Sequence, residues 1–98
     1  QKADLYYSRS IDYFPEDLNL LKEVAEFKIK NSQANEALNI LLKIKELEPN
    51  NPNNIIMLIS TYISLKDFNK AKKEFKELNK QEIDLKTLDG IKMMLENN

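Results

Sequence analysis

The sequence predicts an all-α protein of about six helices arranged in antiparallel pairs. Three observations carry this. The 98 residues contain one Gly and three Pro, too few breakers for the many turns of a sandwich or barrel. Apolar residues recur at helical spacing between short polar turns. The pattern also steps along the chain: Ala3, Ala37 and Ala71 stand 34 residues apart, as do Pro15 and Pro49. Tyr7, Leu41 and Phe75 keep the step with large side chains, and Asn35-Glu36-Ala37 matches Asn69-Lys70-Ala71. Such a period marks a repeated supersecondary unit.

The elements follow in order. The first helix covers about residues 1–13 and ends before Pro15, because the residue ahead of a proline avoids helical backbone. The second covers about 18–30, opened by Asp17 as N-cap. The third, about 34–47, stops before Pro49. The fourth begins at Pro52, with Asn51 capping and Pro at the first helical position, and runs to about Leu65. Its Ile55, Ile56, Met57, Leu58, Ile59, Tyr62, Ile63 and Leu65 are apolar on nearly every side, as in a buried central helix. The fifth covers about 68–81 after Asp67. The sixth covers about 85–96.

Paired helices at this period resemble the tetratricopeptide repeat. That family's signature is Trp-x-x-Leu-Gly-x-x-Tyr on a first helix, then Ala-x-x-x-Phe and Pro on and after a second. Residues 18–51 fill it with Leu21, Val24, Ala25, Lys28, Ala37, Leu41 and Pro49. Residues 52–85 fill it with Ile55, Leu58, Ile59, Tyr62, Ala71, Phe75 and Ile83. Residues 1–17 supply a second half through Ala3, Tyr7 and Pro15. Residues 86–98 read as a capping helix or the first helix of a further unit, with Leu88, Ile91 and Leu95 as its apolar stripe. Lys28 stands where an aromatic is expected, so that contact falls to the Lys stem or to Phe27. Ile83 replaces the closing Pro, which weakens the stop after the fifth helix.

The resemblance implies antiparallel pairs stacked as a right-handed superhelix, whose first helices line a concave groove. It implies protein binding, with an extended or helical partner segment laid in that groove. The groove candidates are Asn19, Lys22, Glu26, Ile29, Asn53, Ile56, Ser60, Ile63 and Met93, with an apolar middle and charged flanks. Chaperone-tail binders of this family share a carboxylate clamp of Lys and Asn residues. Lys22 matches its first Lys, but Glu26 replaces the first Asn and Met57 the second, and a Glu there repels a terminal carboxylate.

Chemistry is not expected. The chain has no His, Cys or Trp, which removes the imidazole base, the thiol nucleophile and the usual zinc ligands. No Gly-rich phosphate loop exists, since the only Gly is Gly90. Glu23 and Glu26 share a helix face, but Lys22, Lys28 and Lys30 surround them, as on a solvated surface. No enzyme activity, metal or cofactor follows. Lys+Arg total 15 against 16 Asp+Glu, so the net field draws the chain to neither nucleic acid nor anionic lipid. No apolar run reaches the ~18 residues of a membrane span.

Two further surfaces stand out. Lys72, Lys76 and Lys80 form a stripe on the fifth helix, but Glu74, Glu77 and Glu82 interleave with it, as on a solvated face. Tyr6, Tyr7, Tyr13 and Phe14 cluster at the start of the chain, where packing against the next helix is expected. Gln1-Lys2-Ala3-Asp4 has neither Met nor a signal-like run, as in a segment excised from a longer chain. On that reading Ala3, Tyr7 and Ser10 face a helix outside this sequence, while Ile11 and Tyr13 pack on the second helix. The strip left open then invites self-association, which makes a homo-oligomeric scaffold the alternative to partner binding.

Overall fold

The computed structural model describes residues 2–78 and 80–97, the side chains of residues 2–4 excepted. Among the described residues it contains six α-helices, one 3-10 turn and no strand. They group into two compact units, residues 1–49 and 50–98.

The first unit holds α1 (Lys2–Tyr13), α2 (Leu18–Lys30) and α3 (Ala34–Leu47). Asp17 opens α2: its carboxylate accepts the Leu20 N–H at 3.1 Å, satisfying one of the donors a helix start leaves unpaired. Helices α2 and α3 pack together. Leu21, Val24 and Ala25 form the buried stripe of α2, and Ala37, Leu41 and Ile44 that of α3, each exposed by 2% or less. The turn between them passes through Ser32, a non-glycine residue at φ 59°. There the Gln33 N–H reaches the Lys28 carbonyl at 2.8 Å and the Ser32 N–H the Ile29 carbonyl at 3.2 Å, the paired bonds that close a helix through a left-handed residue. Before Pro49, α3 ends as the Glu48 N–H bonds the Ile44 carbonyl.

Lys28 and Phe27 share the task of the missing aromatic. The Lys28 side chain is only 11% exposed, and its ammonium lies 3.7 Å from Glu36. Phe27 turns to α1, where its ring centroid lies 4.8 Å from that of Tyr7.

That contact corrects the expected orientation of α1. Tyr7 packs on α2, although it was assigned with Ala3 and Ser10 to the open side, and Tyr13 is exposed although it was assigned to α2. The reason is Phe27: it offers a tilted ring partner, an arrangement worth ~0.5–1.5 kcal/mol beyond area burial. Tyr6 and Phe14 are exposed as well, so three of the four clustered aromatics do not pack on the next helix. Ser10 is half-buried and its hydroxyl donates to the Tyr6 carbonyl. The Ala3 side chain lies outside the described residues.

The second unit holds α4 (Pro52–Ser64), α5 (Phe68–Glu77), the 3-10 turn Lys80–Glu82 and α6 (Leu85–Glu96). Asn51 caps α4 by accepting the Asn53 N–H at 3.0 Å, with Pro52 at the first helical position. Ile55, Leu58, Ile59 and Tyr62 are buried. Thr61 is buried too, and its hydroxyl donates to the Met57 carbonyl at 2.8 Å, so the polar group is satisfied within its own helix. Asp67 caps α5 through the Lys70 N–H, and Asp84 caps α6 through the Thr87 N–H. Ile91 and Leu95 form the buried stripe of α6, with Leu88 half-buried.

The fifth helix is shorter than expected. It ends at Glu77, because Leu78 takes ψ 136°. Its φ of −68° still keeps the buried Leu78 side chain in the core. Lys80 then folds back: its ammonium donates to the Phe75 carbonyl at 2.7 Å and lies 4.6 Å over the Phe75 ring. A cation closing a helix C-terminus is favourable for the orphaned carbonyls and the helix dipole alike. Lys80 therefore does not belong to a stripe with Lys72 and Lys76.

The 34-residue step reappears in the backbone. Lys66 has φ 61°, matching Ser32. The Asp67 N–H reaches the Tyr62 carbonyl and the Lys66 N–H that of Ile63, both at 2.9 Å. Neither residue is glycine, and an L-residue held there costs ~1–2 kcal/mol. Ser32→Gly and Lys66→Gly are each expected to raise stability by ~0.5–1 kcal/mol, read as a shift in urea midpoint. A loss of stability in both would contradict the left-handed assignment.

Candidate functional site

The nine groove candidates sit on three helices. In the first unit, Asn19, Lys22, Glu26 and Ile29 occur on α2 at spacings of three, four and three, which places them along one helix face. Asn53, Ile56, Ser60 and Ile63 occur on α4 of the second unit at the same spacings. Met93 lies on α6, which packs against α4 and α5. None of the nine is buried: Lys22, Ile56 and Ile63 are half-buried and the others exposed. Each first helix thus carries two faces, a buried stripe at 21, 24 and 25 or at 55, 58, 59 and 62, and a second face that the unit's own packing leaves open.

The two open faces differ in chemistry. On α2 the Lys22 ammonium pairs with Glu48 at 3.0 Å, both side chains about one-third exposed. Glu26 is exposed beside it. On α4 the face is apolar at Ile56 and Ile63, with the exposed Asn53 and Ser60 at and between them.

Partial burial raises the Tyr7 hydroxyl above its usual pKa, with smaller contributions from Glu23 and Tyr6. The Asp84 carboxyl is held below its usual 3.8, first by the Thr87 N–H and then by the Thr87 hydroxyl. Folding therefore favours ionised Asp84. Its contribution is present above pH 3.8 and disappears as pH falls through the lower folded value. Acid titration of the helical signal is expected to fall less steeply over that window in Asp84→Asn than in the parent chain. Identical profiles would dissociate this cap from the acid response.

Among the described residues no three carboxylates gather as a metal site would require, and no helix is long and apolar enough to cross a membrane. One surface went unassigned in the sequence. Leu5, Tyr6, Arg9, Ser10, Tyr13 and Phe14 line an open groove of about 460 Å³ on α1. Its signal was present as large side chains at 5, 6, 13 and 14 around the sole arginine, but Leu5 and Arg9 did not register beside the aromatic run.

No family model matches the chain, and no curated protein or solved structure matches it either.

Proposed function

We propose that the chain is a protein-binding module of the tetratricopeptide type, without chemistry of its own. The outer faces of its first helices receive an extended or helical segment of a partner protein. The observation that carries this reading is the open second face of α4, where Ile56 and Ile63 stay half-exposed although the unit has already buried a full stripe on the same helix. An apolar pair flanked by exposed polar groups is the composition of an anchor with a rim. The matching positions on α2 repeat the geometry with a charged surface, which suits selection among partners more than affinity.

The test uses the tagged chain carrying a photo-crosslinking residue at position 56, with a second version carrying it at the exposed position 73. Crosslinked partner protein is expected from position 56 and not from 73. The substitution Ile63→Ser in the first version should abolish the adduct while leaving the melting temperature unchanged. Equal adducts from both positions, or an adduct indifferent to Ile63→Ser, would remove the α4 face from the binding site.

A further inference from the structure

We infer that α1 is a self-association surface, on which two copies of this chain pair their first helices antiparallel about a two-fold axis between Arg9 and Ser10. This goes beyond the binding reading, because it uses a different face of the molecule.

The groove on α1 is symmetric in what it offers. Large apolar or aromatic side chains stand at both ends, Leu5 and Tyr6 against Tyr13 and Phe14, and the middle holds Arg9 and Ser10. A two-fold axis through that middle brings Tyr6 level with Tyr13 of the partner subunit. It brings Leu5 level with Phe14 of the partner subunit. A two-fold interface needs this kind of self-complementary patch, in which each residue meets its counterpart twice. A groove with its aromatics at one end only would not satisfy it.

Charge agrees with the same register. Arg9 and Asp12 are exposed, and three residues apart they lie on one flank of α1. The two-fold operation places Arg9 about 3 Å along the helix from the register mate of Asp12 of the partner subunit, two residues at ~1.5 Å each. A guanidinium spans that offset. Two arginines and two aspartates then form a neutral cluster at the centre, and each arginine has a carboxylate and tyrosine rings as neighbours.

The area is sufficient. Leu5 is 53% exposed, Tyr6 61%, Tyr13 80% and Phe14 61%. At roughly 200 Å² for a large side chain, these four leave about 500 Å² per copy to be covered. The pair together reaches the ~1,000 Å² at which specific interfaces begin. Association at the weak end, in the micromolar range, is the expected strength.

The experiment is sedimentation equilibrium of the chain over a wide concentration range, with melting temperature recorded for every variant. The parent chain is expected to pass from one to two copies as concentration rises. Tyr13→Ser should weaken pairing by about tenfold or more without lowering the melting temperature, since that ring is exposed in the monomer. Arg9→Glu alone and Asp12→Arg alone should each weaken it, and the two together should restore it. A chain monomeric at all concentrations would overturn the proposal and leave this face to a different protein. Pairing indifferent to Tyr13→Ser, or a double variant no better than the single ones, would place any dimer on another surface.

Discussion

Leu58→Ala is expected to destabilise the chain by about 2–5 kcal/mol, the range for removing a leucine from a core that cannot collapse around the gap. Leu58 is 0% exposed, and so is Ile59 beside it. A domain of this size has only ~5–15 kcal/mol in total, so the variant should be largely unfolded at moderate urea. The denaturant midpoint gives the measurement. A shift worth less than about 1 kcal/mol would mean that α4 is not the core helix its burial describes. Phe75→Ala supplies the comparison. Its ring is half-buried and covered in part by the Lys80 ammonium, so its loss should cost less than Leu58→Ala.

Ala37→Leu and Ala71→Leu are expected to cost ~1–3 kcal/mol each through overpacking. Both alanines are 0% exposed. They occupy equivalent positions, 37 on α3 and 71 on α5, each in a helix packed on the first helix of its unit. Three extra carbons at such a point must displace a neighbouring side chain from its rotamer or move a helix. Because the two sites lie in separate compact units, their effects should add within ~0.5 kcal/mol. Near-zero costs in both, about 0.3 kcal/mol or less, would break the repeat register on which the reading of the chain rests.

Helix limits were legible because they are local. Asp17, Asn51 and Asp67 each accept a backbone N–H within the next three residues, and Pro15 and Pro49 follow the helices they stop. The end of α5 was not legible, because Leu78 serves the apolar stripe equally well in either backbone conformation. What decides it is a single ψ and the return of Lys80 to the Phe75 carbonyl. The facing of α1 was hidden for a different reason. With rings at 6, 7, 13 and 14, α1 has no single aromatic side, and the choice of Tyr7 is made by Phe27 on another helix. The open faces of α2 and α4 could be read because burial follows the 34-residue register. The partner could not, since recognition chemistry on one side fits many sequences on the other.

The ion pair between Lys22 and Glu48 turns binding at that corner into an exchange reaction. An incoming carboxylate must evict the resident one, so one contact is lost for each contact made and the enthalpy nearly cancels. Lys22 then behaves as a selector by valence: a singly charged group gains little over Glu48, while a doubly charged one such as a phosphate displaces it with a net gain. The same exchange makes Glu48→Gln a way to sharpen any affinity for acidic segments without touching the surface that meets them.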